Sequence, residues 1–86
     1  MIQMRRKRLT NKSKVYTPNS ETTISLNYSS VLEVLEVEFT GGKIYHYLQV
    51  KPEVWEDYLT EVKMGGSSGA FVNARIKPYY DAARLE

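Results

Sequence analysis

The 86-residue sequence contains no cysteine, which removes a disulfide framework, a thiol nucleophile and a thiolate metal site from consideration. It has one histidine, so any imidazole metal site would need completion by scattered carboxylates, a poor ligand arrangement. No apolar run approaches the ~18 residues of a membrane span. Met1, Ile2, Met4 and Leu9 are dispersed among bases rather than gathered into a secretory signal. These absences lead to the expectation of a cytoplasmic protein with no membrane association, no metal and no cofactor.

What is present is ordinary in bulk and uneven in distribution. A hydrophobic fraction of 42% and a charged fraction of 26% describe a globular chain, and the length allows one domain with a small core. The net charge of +2 hides a split. Residues 1–17 hold Arg5, Arg6, Lys7, Arg8, Lys12 and Lys14 and no acid, giving an arm of +6; the remainder holds six bases against ten acids, giving −4. The basicity belongs to the arm.

Residues 1–20 are polar and aperiodic and read as a flexible basic arm, with Lys14–Thr17 able to form a short edge strand ended by Pro18. Thr23–Tyr28 alternates, with Ile24, Leu26 and Tyr28 on one face. A second strand is expected from Val31 to Phe39, with a β-bulge near Val34-Leu35 where the apolar series changes parity. Gly41-Gly42 marks a hairpin turn into a third strand, Lys43 to Val50. A two-residue loop would pair Phe39 with Ile44; a three-residue Thr40-Gly41-Gly42 loop would oppose Tyr45 to Val37 and Tyr47 to Leu35. A slip of one residue exchanges the faces. The second register is preferred, because it sets His46 beside Glu36.

Pro52 suits the first position of a helix whose Val54, Trp55, Tyr58, Leu59 and Val62 form an apolar stripe. Gly65-Gly66 stops it. Ser67 or Ser68 caps a shorter helix with Phe71, Val72 and Ile76 inward, ended near Pro78. The fold class expected is α+β: a three-stranded antiparallel β-meander followed by two short helices packed on one face. The division is an arm at 1–20, a folded unit at 21–80 and a tail at 81–86, in which Leu85-Glu86 receive no structural weight.

Leu35-x-Val37-x-Phe39, the glycine turn, Tyr45-x-Tyr47, Val50, Pro52, Ser67-x-Gly69-x-Phe71-x-Asn73 and Ile76, in this order, resemble the KTSC domain. That family takes its name from the C-terminal region of some lysyl-tRNA synthetases and also occurs as small stand-alone bacterial proteins. The resemblance covers about residues 22–80. It implies a domain of unknown function, for which the synthetase context suggests RNA binding. Two glycines before Ser67 and the long basic arm depart from the pattern.

The candidate residues each have a plain structural alternative. Tyr45 and Tyr47 would stack bases if they faced solvent; opposite Leu35 and Val37 they are core residues, the reading Glu36 and Glu38 favour. Ser67, Ser68 and Gly69 could offer backbone N–H groups to an anion, or simply connect two helices, with Asn73 hydrogen-bonded in the same corner. His46 beside Glu36 reads as a surface pair, since catalysis would need an oriented acid and a substrate within reach. Arg5, Arg6, Lys7 and Arg8 are the strongest electrostatic candidates for phosphate contacts, with Arg75 a weaker one. Two function classes follow, a nonenzymatic nucleic-acid module acting through the arm and a protein-interaction module. No catalytic constellation points to an enzyme, and the oligomeric state cannot be read.

Overall fold

The structure is a computed structural model that describes residues 6–85; Arg5 lies outside the described residues. A single 3-10 turn at Asn11–Ser13 leads into β1 (Val15–Tyr16), followed by β2 (Thr23–Ser29), β3 (Val34–Phe39) and β4 (Lys43–Tyr47). The helices α1 (Pro52–Lys63) and α2 (Ser68–Phe71) come next, α2 running directly into one π-helical turn, Val72–Ile76. A last strand, β5 (Ala82–Arg84), closes the series. The α+β class holds, but the sheet has five strands rather than three, in the order β1-β2-β3-β4-β5 with antiparallel neighbours.

β5 pairs Ala82, Ala83 and Arg84 with Tyr47, His46 and Tyr45. Flanking bonds extend the ladder: Leu48 N–H donates to Asp81 O at 2.9 Å and Leu85 N–H to Ile44 O at 2.8 Å. Leu85, given no weight from the sequence, is buried. Nothing in Ala-Ala-Arg alternates, so the strand is specified by backbone pairing after the chain turns back at Pro78.

The hairpin adopts the three-residue register, with Glu36 opposite His46, Val37 opposite Tyr45 and Leu35 opposite Tyr47. Two expectations for β2 and β3 are corrected. β3 starts at Val34, because Val31 and Leu32 sit in a turn, 90% and 62% exposed, and Glu33 takes a left-handed φ of 55°. The register shift lies in β2 between Thr23 and Ser25, not at Val34-Leu35. It leaves Ile24 exposed while Thr23 and Ser25 are buried.

One face of the sheet carries the core. Leu26, Tyr28, Leu35, Val37 and Tyr47 meet Val50, Trp55, Tyr58, Phe71, Val72 and Ile76. Tyr28 stacks on Trp55 with ring centroids 5.5 Å apart, and Tyr58 on Phe71 at 4.4 Å. Pro52 is at the start of α1 as its fixed φ favours. At the other end Gly65, with φ +86°, allows a two-bond reversal: Gly66 N–H donates to Glu61 O and Gly65 N–H to Val62 O. Ser67 then caps α2, its hydroxyl accepting from Ala70 N–H at 3.1 Å.

Candidate functional site

The outer face of the sheet shows what the arm does. Its side chains are polar by alternation: Ser25 and Asn27 on β2, Glu36 and Glu38 on β3, His46 on β4. Such a row is ordinarily solvated. Here Asn27, Glu36 and His46 are each at most 2% exposed, because residues 6–10 cross over them. Asn27 Nδ2 donates to Thr10 O at 2.8 Å. Leu9 N–H donates to Glu36 Oε2 at 2.9 Å, and Arg8 donates to Glu36 Oε1 at 3.1 Å and to Glu38 Oε1 at 3.3 Å. Arg6 Nε–H donates to His46 Nδ1 at 3.1 Å.

This orients the pair beneath. Arginine is a donor only, so His46 Nδ1 accepts this bond through its lone pair. The ring proton is then on Nε2, which donates to Glu36 Oε2 at 2.8 Å. Burial opposes ionisation of Glu36, but hydrogen bonds from His46, the Leu9 N–H and Arg8 outweigh it and hold the carboxyl below the ordinary glutamate range. The sequence reading of an exposed His–Glu surface pair is corrected: the pair is buried, and both imidazole nitrogens are taken. Residues 6–14 differ in the same way from a flexible arm, since they form a strap over the sheet; the edge strand expected within Lys14–Thr17 follows it as β1, which pairs Val15 with Leu26.

The strap changes the electrostatic count. Arg8 is matched against Glu36 and Glu38, and one donor of Arg6 is occupied. Lys14 Nζ sits 5.0 Å from the Tyr16 ring centroid. Lys7 and Lys12 stay exposed. They line, with Arg6 and Arg8, an open groove of about 940 Å³ between the strap, the β2–β3 turn and the start of α1. Trp55, Val31 and Leu32 also line it, and among the described residues Glu56 is its one acid.

The remaining candidates are elsewhere. Tyr47 is 3% exposed in the core, and Tyr45 is half-buried beside it at 6.3 Å between ring centroids. Neither faces the strap, so the two do not form an outward stacking platform. Arg75, on the π-helical turn, donates to Asp57 at 3.3 Å and lies 4.9 Å over the Phe71 ring. It is not part of the groove.

The Ser67-Ser68-Gly69 loop is engaged internally. Ser67 caps its helix, and Ser68 is buried in a hydroxyl chain that joins β2, α1, α2 and Thr17, the residue after β1. Thr17 Oγ1 donates to Thr23 O at 2.9 Å, Thr23 Oγ1 to Ser68 Oγ at 2.9 Å, and Tyr58 OH to Ser68 O at 3.0 Å. Burial pushes the Tyr58 phenol up to about 12, keeping it a neutral donor. Gly69 packs so closely on Thr22, the residue before β2, that a Cβ there would collide with the Thr22 hydroxyl. These contacts account for the residues as a joint rather than as an anion cradle. Among the described residues no group of three or more His, Asp or Glu side chains could hold a metal ion, and no helix is long and apolar enough to cross a membrane.

A five-stranded antiparallel meander backed by two helices, with a serine-capped second helix against the sheet, defines a small α+β domain class. The chain belongs to the KTSC domain family, whose model matches residues 19–80. It is 40% identical over 58 residues to a protein of Tsukamurella paurometabola, a match covering 67% of this chain and 81% of that protein. It is also similar to the crystal structure of a KTSC domain protein from Yersinia pestis, with a TM-score of 0.62 and 25% identity over 78% of this chain and 89% of that one.

The strap contacts escaped sequence reasoning because they join residues 17 to 40 positions apart without periodicity. One signal pointed to them. A +6 arm and a −4 body in one short chain are a matched pair before they are a binding surface.

Proposed function

We propose that the protein is a nonenzymatic binding module for a polyanion, RNA first, and that the groove beside the strap is its contact surface. The observation that carries this reading is the lining: Arg6, Lys7, Arg8 and Lys12 against Glu56, the single acid among the described residues that line it. Glu36 and Glu38 offset Arg8 from below, so Lys7 and Lys12 supply most of the unspent charge. Two to four phosphate contacts to a single strand correspond to a log K against log salt slope of about −1.4 to −2.8. Affinity is modest and sequence-independent, because phosphates position a strand and do not specify it. Such a role fits the cytoplasmic setting expected from the sequence and the synthetase context that the family's name carries.

The test is a titration of a fluorescent single-stranded RNA against the full chain and against Lys7→Ala/Lys12→Ala. Removing the strap altogether is a poor control, since Leu9 and Arg8 hold Glu36. Binding at low salt, weakened about tenfold or more in the double variant, is expected. No binding at low salt, or binding indifferent to the two lysines, overturns the reading.

A second reading rests on Val31 and Leu32, whose side chains stand out of the same groove. A protein partner with an apolar and acidic segment would use them. Val31→Ser/Leu32→Ser then abolishes partner binding while leaving an RNA titration unchanged.

A further inference from the structure

A second groove, of about 590 Å³, opens at the other end of the sheet, where the β3–β4 hairpin extends beyond the π-helical turn. Its size is that of small-molecule sites. Tyr45 and Tyr80, both half-buried, line it over the buried Tyr47. Phe39 meets Tyr45 edge-on, with centroids 5.8 Å apart. Lys43 and Lys77 are exposed at its rim, Lys77 Nζ lying 5.1 Å from the Phe39 ring centroid. Among the described residues no aspartate or glutamate lines it.

Asn73 completes the lining. It belongs to the π-helical turn, closed by Lys77 N–H donating to Val72 O at 2.8 Å. Turns of that kind cost regular helix geometry and recur at functional sites. The sequence led us to expect Asn73 to be hydrogen-bonded in its corner. Instead it is exposed and lines this groove, with both its amide donor and its carbonyl available to a ligand.

We infer that this groove binds a nucleoside monophosphate, free or at the end of a strand. The heteroaromatic ring lies against Tyr45 and Tyr80, as bases do on aromatic side chains. The phosphate is held between the Lys43 and Lys77 ammonium groups. Asn73 bonds the edge of the base or the ribose. A ring alone lacks the charge that the lysines attract, and phosphate alone lacks the surface that the tyrosines cover. Both parts are therefore required. The site is separate from the strap groove and does not depend on the role proposed for that groove.

Backbone amide shifts of the full chain, followed by NMR, test it with AMP, adenosine and inorganic phosphate as probes. AMP is expected to shift amides in residues 43–47 and 72–80 saturably, with a Kd of about 1 mM or tighter. Adenosine and phosphate should each bind at least about tenfold more weakly. Lys43→Gln/Lys77→Gln should weaken AMP about tenfold or more while the thermal midpoint holds, and Lys7→Ala/Lys12→Ala should leave AMP binding unchanged. A 5′-phosphorylated tetranucleotide that binds more tightly than AMP assigns the site to a strand end; equal or weaker binding assigns it to the free nucleotide. Absence of saturable shifts at about 10 mM AMP, equal response to phosphate alone, or indifference to the lysine pair overturns the inference.

Discussion

On one face of the sheet Leu26, Tyr28, Leu35, Val37 and Tyr47 are covered by the aromatic and aliphatic side chains of α1 and α2. On the other, Asn27, Glu36 and His46 are covered by a strap of backbone and arginine. The faces are equally dry at their centres, and they are dried by different means. The helical cover is apolar, so its stabilisation grows with the area removed from water. The strap cover works by satisfaction: each buried side-chain nitrogen or oxygen beneath it has a partner, and among the described residues no buried side-chain nitrogen or oxygen is left without one. A cover of that kind adds little when complete and costs much when one partner is lost. The charge of the arm is therefore first a structural complement to the sheet and only secondly a surface for a ligand.

The largest effect is expected on the helical face. Tyr58→Ala removes a ring stacked on Phe71 at 4.4 Å and the phenol that closes the hydroxyl chain. The loss should be about 3–5 kcal/mol, a large part of the roughly 5–15 kcal/mol available to a small domain. Urea unfolding followed by Trp55 fluorescence measures it. Tyr58→Phe keeps the ring and should lose only about 1–2 kcal/mol, the cost of Ser68 losing one of its partners while Thr23 stays bonded to it. If the Phe variant falls as far as the Ala variant, the hydroxyl chain rather than the stack holds this face.

A smaller loss is expected from Glu36→Gln on the strapped face. Glutamine keeps the shape but turns an amide donor toward donors already in place, the His46 Nε2–H, the Leu9 N–H and Arg8. Roughly 3 kcal/mol is the scale for breaking a buried pair in this way. Hydrogen exchange should speed at the Leu9 amide and in β1 before it speeds in α1. Replacing both members, Glu36→Leu/His46→Leu, should recover part of the loss, because an apolar pair has no polar atom to leave unpaired. An unchanged midpoint in Glu36→Gln would remove the distinction between the faces.

The two faces were also unequally legible in the sequence. The helical face announced itself: Pro52, the stripe from Val54 to Val62, the Gly65 stop and the Ser67 cap are local signals, and the structure places each where its chemistry requires. The hairpin register followed from Glu36 seeking His46. The strapped face was illegible as a cover, since a contact such as Arg6 with His46 depends on a fold already formed. β5 was hidden because Ala82-Ala83-Arg84 has no side-chain pattern, only backbone to pair. Val31 and Leu32 misled in the opposite direction: they have strand-forming side chains, yet Glu33 turns the backbone beside them. Of the site, the basic residues could be named from the sequence. How much of their charge the sheet absorbs could not.

The smallest stability effect, and the most discriminating, belongs to Arg8→Ala. Its guanidinium is partly exposed, so losing its ion pair with Glu36 should cost only about 0.5–1 kcal/mol at neutral pH. The pH profile says more than the midpoint. Glu36 has a folded-state pKa below its unfolded value near 4.3, so the stability it contributes is fully present above about pH 4.3 and is lost as pH falls through the folded value. Removing Arg8 takes away one of the groups that lower that value, which therefore rises toward the unfolded one. The acid limb of stability against pH should become shallower and end at higher pH, with less to lose because less was held. His46 and the Leu9 N–H still serve the carboxylate in this variant, so the limb should shrink without vanishing. A limb unchanged from the parent would mean that Arg8 rests on the surface without feeling the charge beneath it, and its full positive charge would then be available to the groove.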